Sequence, residues 1–174
     1  MYNLNILIAV ESVLFDSKPE RIALKPNWIA ECRRLLYAIG EDRNLFAIWS
    51  TFDIETENKL EQSGLISYFK KCFVCDSFEK DFGKDVMSRD YYSKVLRKGI
   101  DECVGKSYAD ILFVSDYEGF YRRGSYYNTI YYDPRKMIHW ERDSGYVAYS
   151  FDEIIEVVGR FKTTKYNKPN GEKL

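Results

Sequence analysis

Residues 6–14 read Ile6-Leu7-Ile8-Ala9-Val10-Glu11-Ser12-Val13-Leu14. The unbroken apolar stretch before Glu11 has no polar face, as expected of a strand covered on both sides inside a parallel sheet. The strand is read over 4–10, with a continuation toward Phe15 left open. Glu11 is an acid placed where such a strand meets solvent, and the residue two before it, Ala9, carries only a methyl group.

Working outward, a polar connection over 16–25 leads to Pro26, which opens a helix at the position where a missing N–H costs nothing. Trp28, Ile29, Cys32, Leu35, Leu36 and Ile39 form one stripe at helical spacing, and Gly40 is a natural stop. Leu45-Phe46-Ala47-Ile48-Trp49 is a second continuous apolar run and a second buried strand, followed by Ser50 and Thr51. Asp53 can cap a helix over 54–63, which Gly64 ends. Phe69 to Cys75 is a third strand, and 88–104 a helix with Tyr91, Tyr92, Val95, Leu96 and Ile100 on one side. Ile111-Leu112-Phe113-Val114 is a fourth strand ending at Ser115-Asp116, with a short helix expected through Tyr126. Thr129-Ile130-Tyr131-Tyr132 is a fifth strand, 133–148 a loop or small hairpin, and Phe151 to Phe161 a last helix.

Strands alternating with helices predict an α/β fold. The expected form is a three-layer α/β/α sandwich on a five-stranded, mostly parallel, Rossmannoid sheet. The domain is read over 1–162, with a polar tail at 163–174 that contains Pro169 and Gly171 and is expected to be mobile. In such sheets a ligand sits beyond the carboxyl ends of the strands, where the strand order reverses. Glu11, Ser50 and Asp116 each follow a strand, so they are expected to converge on one crevice.

Composition narrows the classes. The chain has 174 residues, 45% apolar and 30% charged, as in ordinary globular domains. A net charge of −1 supplies no global field toward nucleic acid or an anionic membrane. No apolar run approaches the ~20 residues that span a bilayer. The first strand follows no basic region and meets Glu11 and Asp16, unlike a signal peptide. A cytoplasmic protein with reduced thiols and no membrane partner is the expectation. Fifteen Tyr and eleven Phe are many for this length, but such rings serve cores, interfaces and stacking platforms alike.

Six segments together resemble the haloacid dehalogenase-like (HAD) superfamily over roughly 1–160. They are the strand at 6–10, Leu24-Lys25-Pro26 before an amphipathic helix, Phe46-Ala47-Ile48-Trp49-Ser50, Gly64-Leu65-Ile66-Ser67-Tyr68-Phe69, Leu112-Phe113-Val114-Ser115-Asp116, and Ser150-Phe151-Asp152-Glu153-Ile154-Ile155. The resemblance implies the roles of a phosphoryl-transfer site. A first aspartate attacks phosphorus and a second, two residues on, is general acid and base. A serine or threonine and a lysine hold the phosphoryl oxygens, and acids of the fourth motif hold Mg²⁺. The attack needs an ionised carboxylate, the leaving group a proton, and the transition-state charge cations and donors.

Carried over, the nucleophile position is Ala9 and the acid/base position Glu11. Ser12-Val13 replaces the motif's glycine and threonine. Ser50 keeps a phosphate donor, and Lys84 is the best match for the lysine, with Lys94 an alternative inside the helix at 88–104. Asp116 keeps one metal carboxylate, while the second acidic position falls on Phe120, with Glu118 near it in sequence. Mg²⁺ wants several oxygen ligands, so Asp116 with one backbone carbonyl is a weak site and no firmly held cofactor is expected. A register shift would instead make Asp16 the nucleophile, but Ser17-Lys18-Pro19-Glu20 supplies no acid two residues on. About ten residues after the first strand and about ten after the third leave no room for a cap domain. The resemblance then implies an open site suited to large substrates or partners.

The chemistry expected is therefore a degenerate member without standard phosphatase activity, working as a binding or regulatory module with a protein partner. Its working face would be the Tyr/Arg-rich segment 117–140. The alternative is a Mg²⁺-dependent phosphohydrolase with rearranged acids, and a weaker one a nucleic-acid-associated module. Phe120-Tyr121-Arg122-Arg123, Tyr126-Tyr127, Tyr131-Tyr132 and Arg135-Lys136 interleave rings with cations, a composition that can stack bases and track phosphates. Asn128 suits a left-handed residue after a helix. Cys72-Phe73-Val74-Cys75 has Cys-x-x-Cys spacing but lies in a strand without a second pair, so two ordinary sheet cysteines are expected. His139, the sole histidine, is read as packed or superficial.

Overall fold

Six strands form one sheet: β1 (Asn5–Ala9), β2 (Asn44–Ser50), β3 (Lys71–Cys75), β4 (Ile111–Ser115), β5 (Asn128–Tyr132) and β6 (Tyr146–Ala148). The structure, a computed structural model, describes residues 4–15, 26–41, 43–50, 54–75, 111–115, 128–136 and 146–166. Every neighbouring pair is parallel, in the order β3-β2-β1-β4-β5-β6. The chain builds outward from β1 to β3, then crosses back to place β4 on the other side of β1. That reversal lies between β1 and β4.

The apolar runs behave as their composition requires. Ile6 and Ile8 of β1, Leu45, Ala47 and Trp49 of β2, Leu112 and Val114 of β4, and Ile130 and Tyr132 of β5 share one core. Alternate residues point to the opposite face. There Leu7, Phe46, Ile48, Phe73, Phe113 and Tyr131 are buried too, with the Phe46 and Phe73 rings 6.3 Å apart. With both faces out of water, the strands show no alternation in sequence.

The first core is closed by α2 (Pro26–Gly40) and α4 (Phe151–Tyr166), with α3 (Ile54–Gln62) and a 3₁₀ turn at Leu65–Tyr68. Cys32, Leu35, Leu36 and Ile39 of α2 meet Ile154 and Val158 of α4 in that core. The Phe151 ring joins the elements, 5.0 Å from Trp28 and 5.7 Å from Tyr132. Outside, Arg34 donates to Asp152 at 2.6 Å and to Glu31 at 2.8 Å. These ions are exposed, so water screens them and the ring packing does most of the holding.

Three sequence readings need correction. The sheet has six strands, not five: β6 stands where a loop or hairpin was expected. Three residues are too few to show a period. β6 exists through its ladder to β5, Ile130 opposite Tyr146 and Tyr132 opposite Ala148, and through the Asp133 N–H on the Ala148 carbonyl at 2.9 Å. The first strand does not continue toward Phe15. It ends at Ala9 and turns into α1 (Val10–Val13), with the Leu14 and Phe15 amides both on the Val10 carbonyl. The helical turn buries Val10, Val13, Leu14 and Phe15 together and leaves Glu11 and Ser12 half-buried, a grouping a two-residue period cannot achieve. Finally, α4 runs to Tyr166 rather than ending at Phe161, taking 163–166 out of the expected tail. Residues 162–166 contain neither Gly nor Pro, and propagating a formed helix costs little. The helices expected at 88–104 and through Tyr126 lie outside the described residues.

Gly64 closes α3 with φ +71°, its N–H on the Glu61 carbonyl at 3.0 Å, while Arg33 Nη2 donates to the Ser63 carbonyl at 2.7 Å. Among the described residues a Cβ added there would meet only Arg33 Nη2, at 3.6 Å, an ordinary contact. The obstacle is the left-handed backbone. Gly64→Ala is expected to cost about 1–2 kcal/mol, read as a lowered urea midpoint at unchanged slope.

Candidate functional site

The crevice that this strand order opens lies beyond the carboxyl ends of β1 and β4. Ala9 closes β1 in extended conformation (φ −73°, ψ 96°), opposite Ile48 of β2. On its other side Ile8 is opposite Val114, which places Ser115, the buried last residue of β4, beside the same end. β2 runs two residues past Ile48 to Ser50, about 6–7 Å farther along the edge. Glu11 follows one residue after Val10 opens α1, and Asp116 is the residue after Ser115. The backbone thus delivers Ala9, Glu11 and Ser50 to one edge, with β4 ending there immediately before Asp116. Asp116 itself, Lys84, Asp16, Glu118, Phe120 and His139 lie outside the described residues, as does most of the segment 117–140.

The β1 end is tied by side-chain hydrogen bonds. Ser12 Oγ donates to the Ala9 carbonyl at 3.3 Å, so this hydroxyl is spent on closing the turn. The Leu14 carbonyl accepts from the Trp28 indole N–H at 2.6 Å and from the Cys32 thiol at 3.8 Å. Two side chains of α2 therefore fasten the turn that carries Glu11. The sequence showed Trp28 and Cys32 only as members of a core stripe. The signal for more was a tryptophan in the first turn of the helix, where its polar N–H needs a partner.

Asp133 was also missed. It is buried at the carboxyl end of β5, two strands from β1 on the same edge, and its carbonyl accepts the Lys136 N–H at 3.0 Å. An acid between an aromatic strand and Pro134 was the available clue. Buried carboxylates require partners, and Asp133 makes an interaction beyond its two backbone bonds.

Cys32 and Cys72 sit in surroundings that disfavour the thiolate. Burial, and secondarily the charge of Glu31, pushes the Cys32 thiol up to about 12. Burial, then Glu57, raises Cys72 as well. Cys72 lies within β3 rather than at a helix N-terminus, the setting that favours a thiolate. Native protein at pH 8 should resist iodoacetamide at Cys32 and react only when unfolded. Because the unfolded thiol ionises from about pH 9 and the native one does not, stability should fall as pH rises from 9 toward about 12. Denaturant midpoints across that range check it.

Among the described residues no three His, Cys, Asp or Glu side chains are grouped to hold a metal ion. No helix among them is long and apolar enough to cross a membrane.

No family model matches the sequence, and no curated protein is significantly similar to it. Solved structures are. An uncharacterized protein from Listeria monocytogenes serotype 4b superposes with TM-score 0.60 at 13% identity, over 92% of this chain and 99% of that one. A haloacid dehalogenase-like family hydrolase from Xanthomonas campestris gives 0.53 at 14% identity, over 91% and 70%. YfnB from Bacillus subtilis, described as a HAD-hydrolase and bound to magnesium, gives 0.53 at 16% identity, over 72% and 54%. The chain thus spans about half the length of YfnB. At these identities the likeness is one of fold: this is a HAD-like α/β sheet flanked by helices.

Proposed function

We propose that this HAD-like domain does not perform phosphoaspartate chemistry and works as a binding or regulatory module for a protein partner. The observation that carries the reading is the methyl side chain of Ala9 at the end of the central strand, beside the strand-order reversal. In the fold's hydrolases, by the resemblance above, that position supplies the carboxylate that attacks phosphorus. A methyl group has no electron pair to donate, and Glu11 two residues on is the counterpart of a proton carrier. Mg²⁺, if it binds, would rest on Asp116 with Glu11 nearby, a thin ligand set for a hard cation. The partner is assigned to the Tyr/Arg segment 117–140 outside β5, since Tyr131 and Tyr132 are buried in the sheet while Arg135 and Lys136 are exposed.

The competing reading is a Mg²⁺-dependent phosphohydrolase using Asp16 or Glu11 with Asp116. The presence of Glu11 on the same edge as the ends of β2 and β4 favours keeping it as the alternative. Assaying p-nitrophenyl phosphate with Mg²⁺ separates them. The module shows no turnover above buffer, and Asp116→Asn changes nothing. Turnover that requires Mg²⁺ and disappears in Asp116→Asn overturns the proposal.

A further inference from the structure

The α1 turn is four residues long, too short to hold itself. Its internal bonds are few: the Leu14 and Phe15 amides on the Val10 carbonyl, and the Ser12 hydroxyl on the Ala9 carbonyl. Yet this turn sets where Glu11 stands relative to the β1/β4 crevice. From outside it packs on β2 and β4, and α2 supplies its side-chain hydrogen bonds. The Trp28 indole N–H reaches the Leu14 carbonyl at 2.6 Å, and the Cys32 thiol approaches the same oxygen at 3.8 Å. The indole is in turn held in the fold by tilted ring contacts: its ring lies 5.0 Å from Phe151 at the start of α4, and Phe151 lies 5.7 Å from Tyr132 at the end of β5. Trp28 remains 37% exposed, so burial of apolar area is not its whole purpose.

We propose that Trp28 is a positioning residue: its indole N–H latches the α1 turn and so holds Glu11 at the mouth of the crevice. The consequence for Glu11 rests on the reading of that edge as the working site; the latch itself does not. Trp28→Phe keeps a ring against Phe151 and removes only the donor and part of the ring. Amide hydrogen exchange followed by NMR reads the result residue by residue.

A net hydrogen bond of ordinary strength predicts that the Leu14 and Phe15 amides exchange about threefold to tenfold faster in Trp28→Phe. The Ser63 amide, bonded to the Lys59 carbonyl at the far end of α3, should keep its wild-type rate. Unchanged Leu14 and Phe15 rates overturn the latch, whatever the crevice does. Equal acceleration at Leu14, Phe15 and Ser63 also overturns it, because Trp28 is then only a core contact. Should Trp28→Phe fail to fold, Cys32→Ala removes the weaker donor to the same carbonyl. It must then show a smaller acceleration at Leu14 and Phe15 with Ser63 unmoved, and no such change counts against the latch. None of these readouts depends on phosphatase or partner binding, so a failed latch and a failed functional reading remain separate results.

Discussion

Incubated with acetyl phosphate and Mg²⁺ and quenched in acid, the protein should carry no hydroxylamine-labile phosphoryl adduct on residues 5–15, by intact mass and by fragmentation of the peptide. Turnover of a generic phosphoester should lie on the order of 10⁴–10⁶ below that of a site with its nucleophile intact, the loss typical when the attacking group of a covalent mechanism is removed. The argument is one of electron pairs. An aspartyl phosphate forms when a carboxylate oxygen attacks phosphorus and the leaving oxygen departs with the bonding pair. At the end of β1 the side chain is a methyl group with no such pair, and the neighbouring Ser12 offers a hydroxyl, whose proton goes to the Ala9 carbonyl, rather than a carboxylate. An adduct mapped to Asp16 or Glu11 would show that another acid has taken over, and the alternative reading would replace the proposed one.

Leu112→Ala should cost about 2–5 kcal/mol. Leu112 is fully buried in β4, opposite Ile6 of β1 on one side and Asn128 of β5 on the other. Truncating it removes apolar contacts and leaves a void between a central strand and the α2/α4 layer, where the backbone is held by ladders on both sides and cannot collapse. Against a total stability of roughly 5–15 kcal/mol, this is a large fraction. With a slope of about 2 kcal/mol/M, the urea midpoint should fall by roughly 1–2.5 M. Tyr37→Ala is the control: Tyr37 is 69% exposed on α2, and its loss should stay within about 0.5 kcal/mol. A small effect of Leu112→Ala would mean that β4 is not the packed centre its burial indicates.

The buried strands were legible because both faces are covered. Ile6-Leu7-Ile8, Leu45 to Trp49 and Ile111 to Val114 show no alternation, and that lack of alternation was the signal. The stripe in α2 was legible because one face of a helix imposes its own spacing. β6 was not, since Tyr146-Val147-Ala148 means nothing until β5 lies beside it. The end of β1 misled, since Val10, Val13, Leu14 and Phe15 suit a strand as well as a helical turn. Only their joint burial in the core, with Trp28 and Cys32 on the Leu14 carbonyl, chooses between the two. Asp133 passed unnoticed because an acid after a strand is ordinary until its burial is known.

The sequence by itself determined the local chemistry: which runs are apolar enough to lie inside a sheet, and that Ala9 and Glu11 stand two apart at the end of the first of them. Tertiary structure decided the rest, because strand order and register arise from contacts between residues far apart in the chain. It placed β1 between β2 and β4, and so put the reversal of strand order at Ala9. It gave the turn after Ala9 its shape, through an indole and a thiol on α2 that meet the Leu14 carbonyl from 14 and 18 residues away.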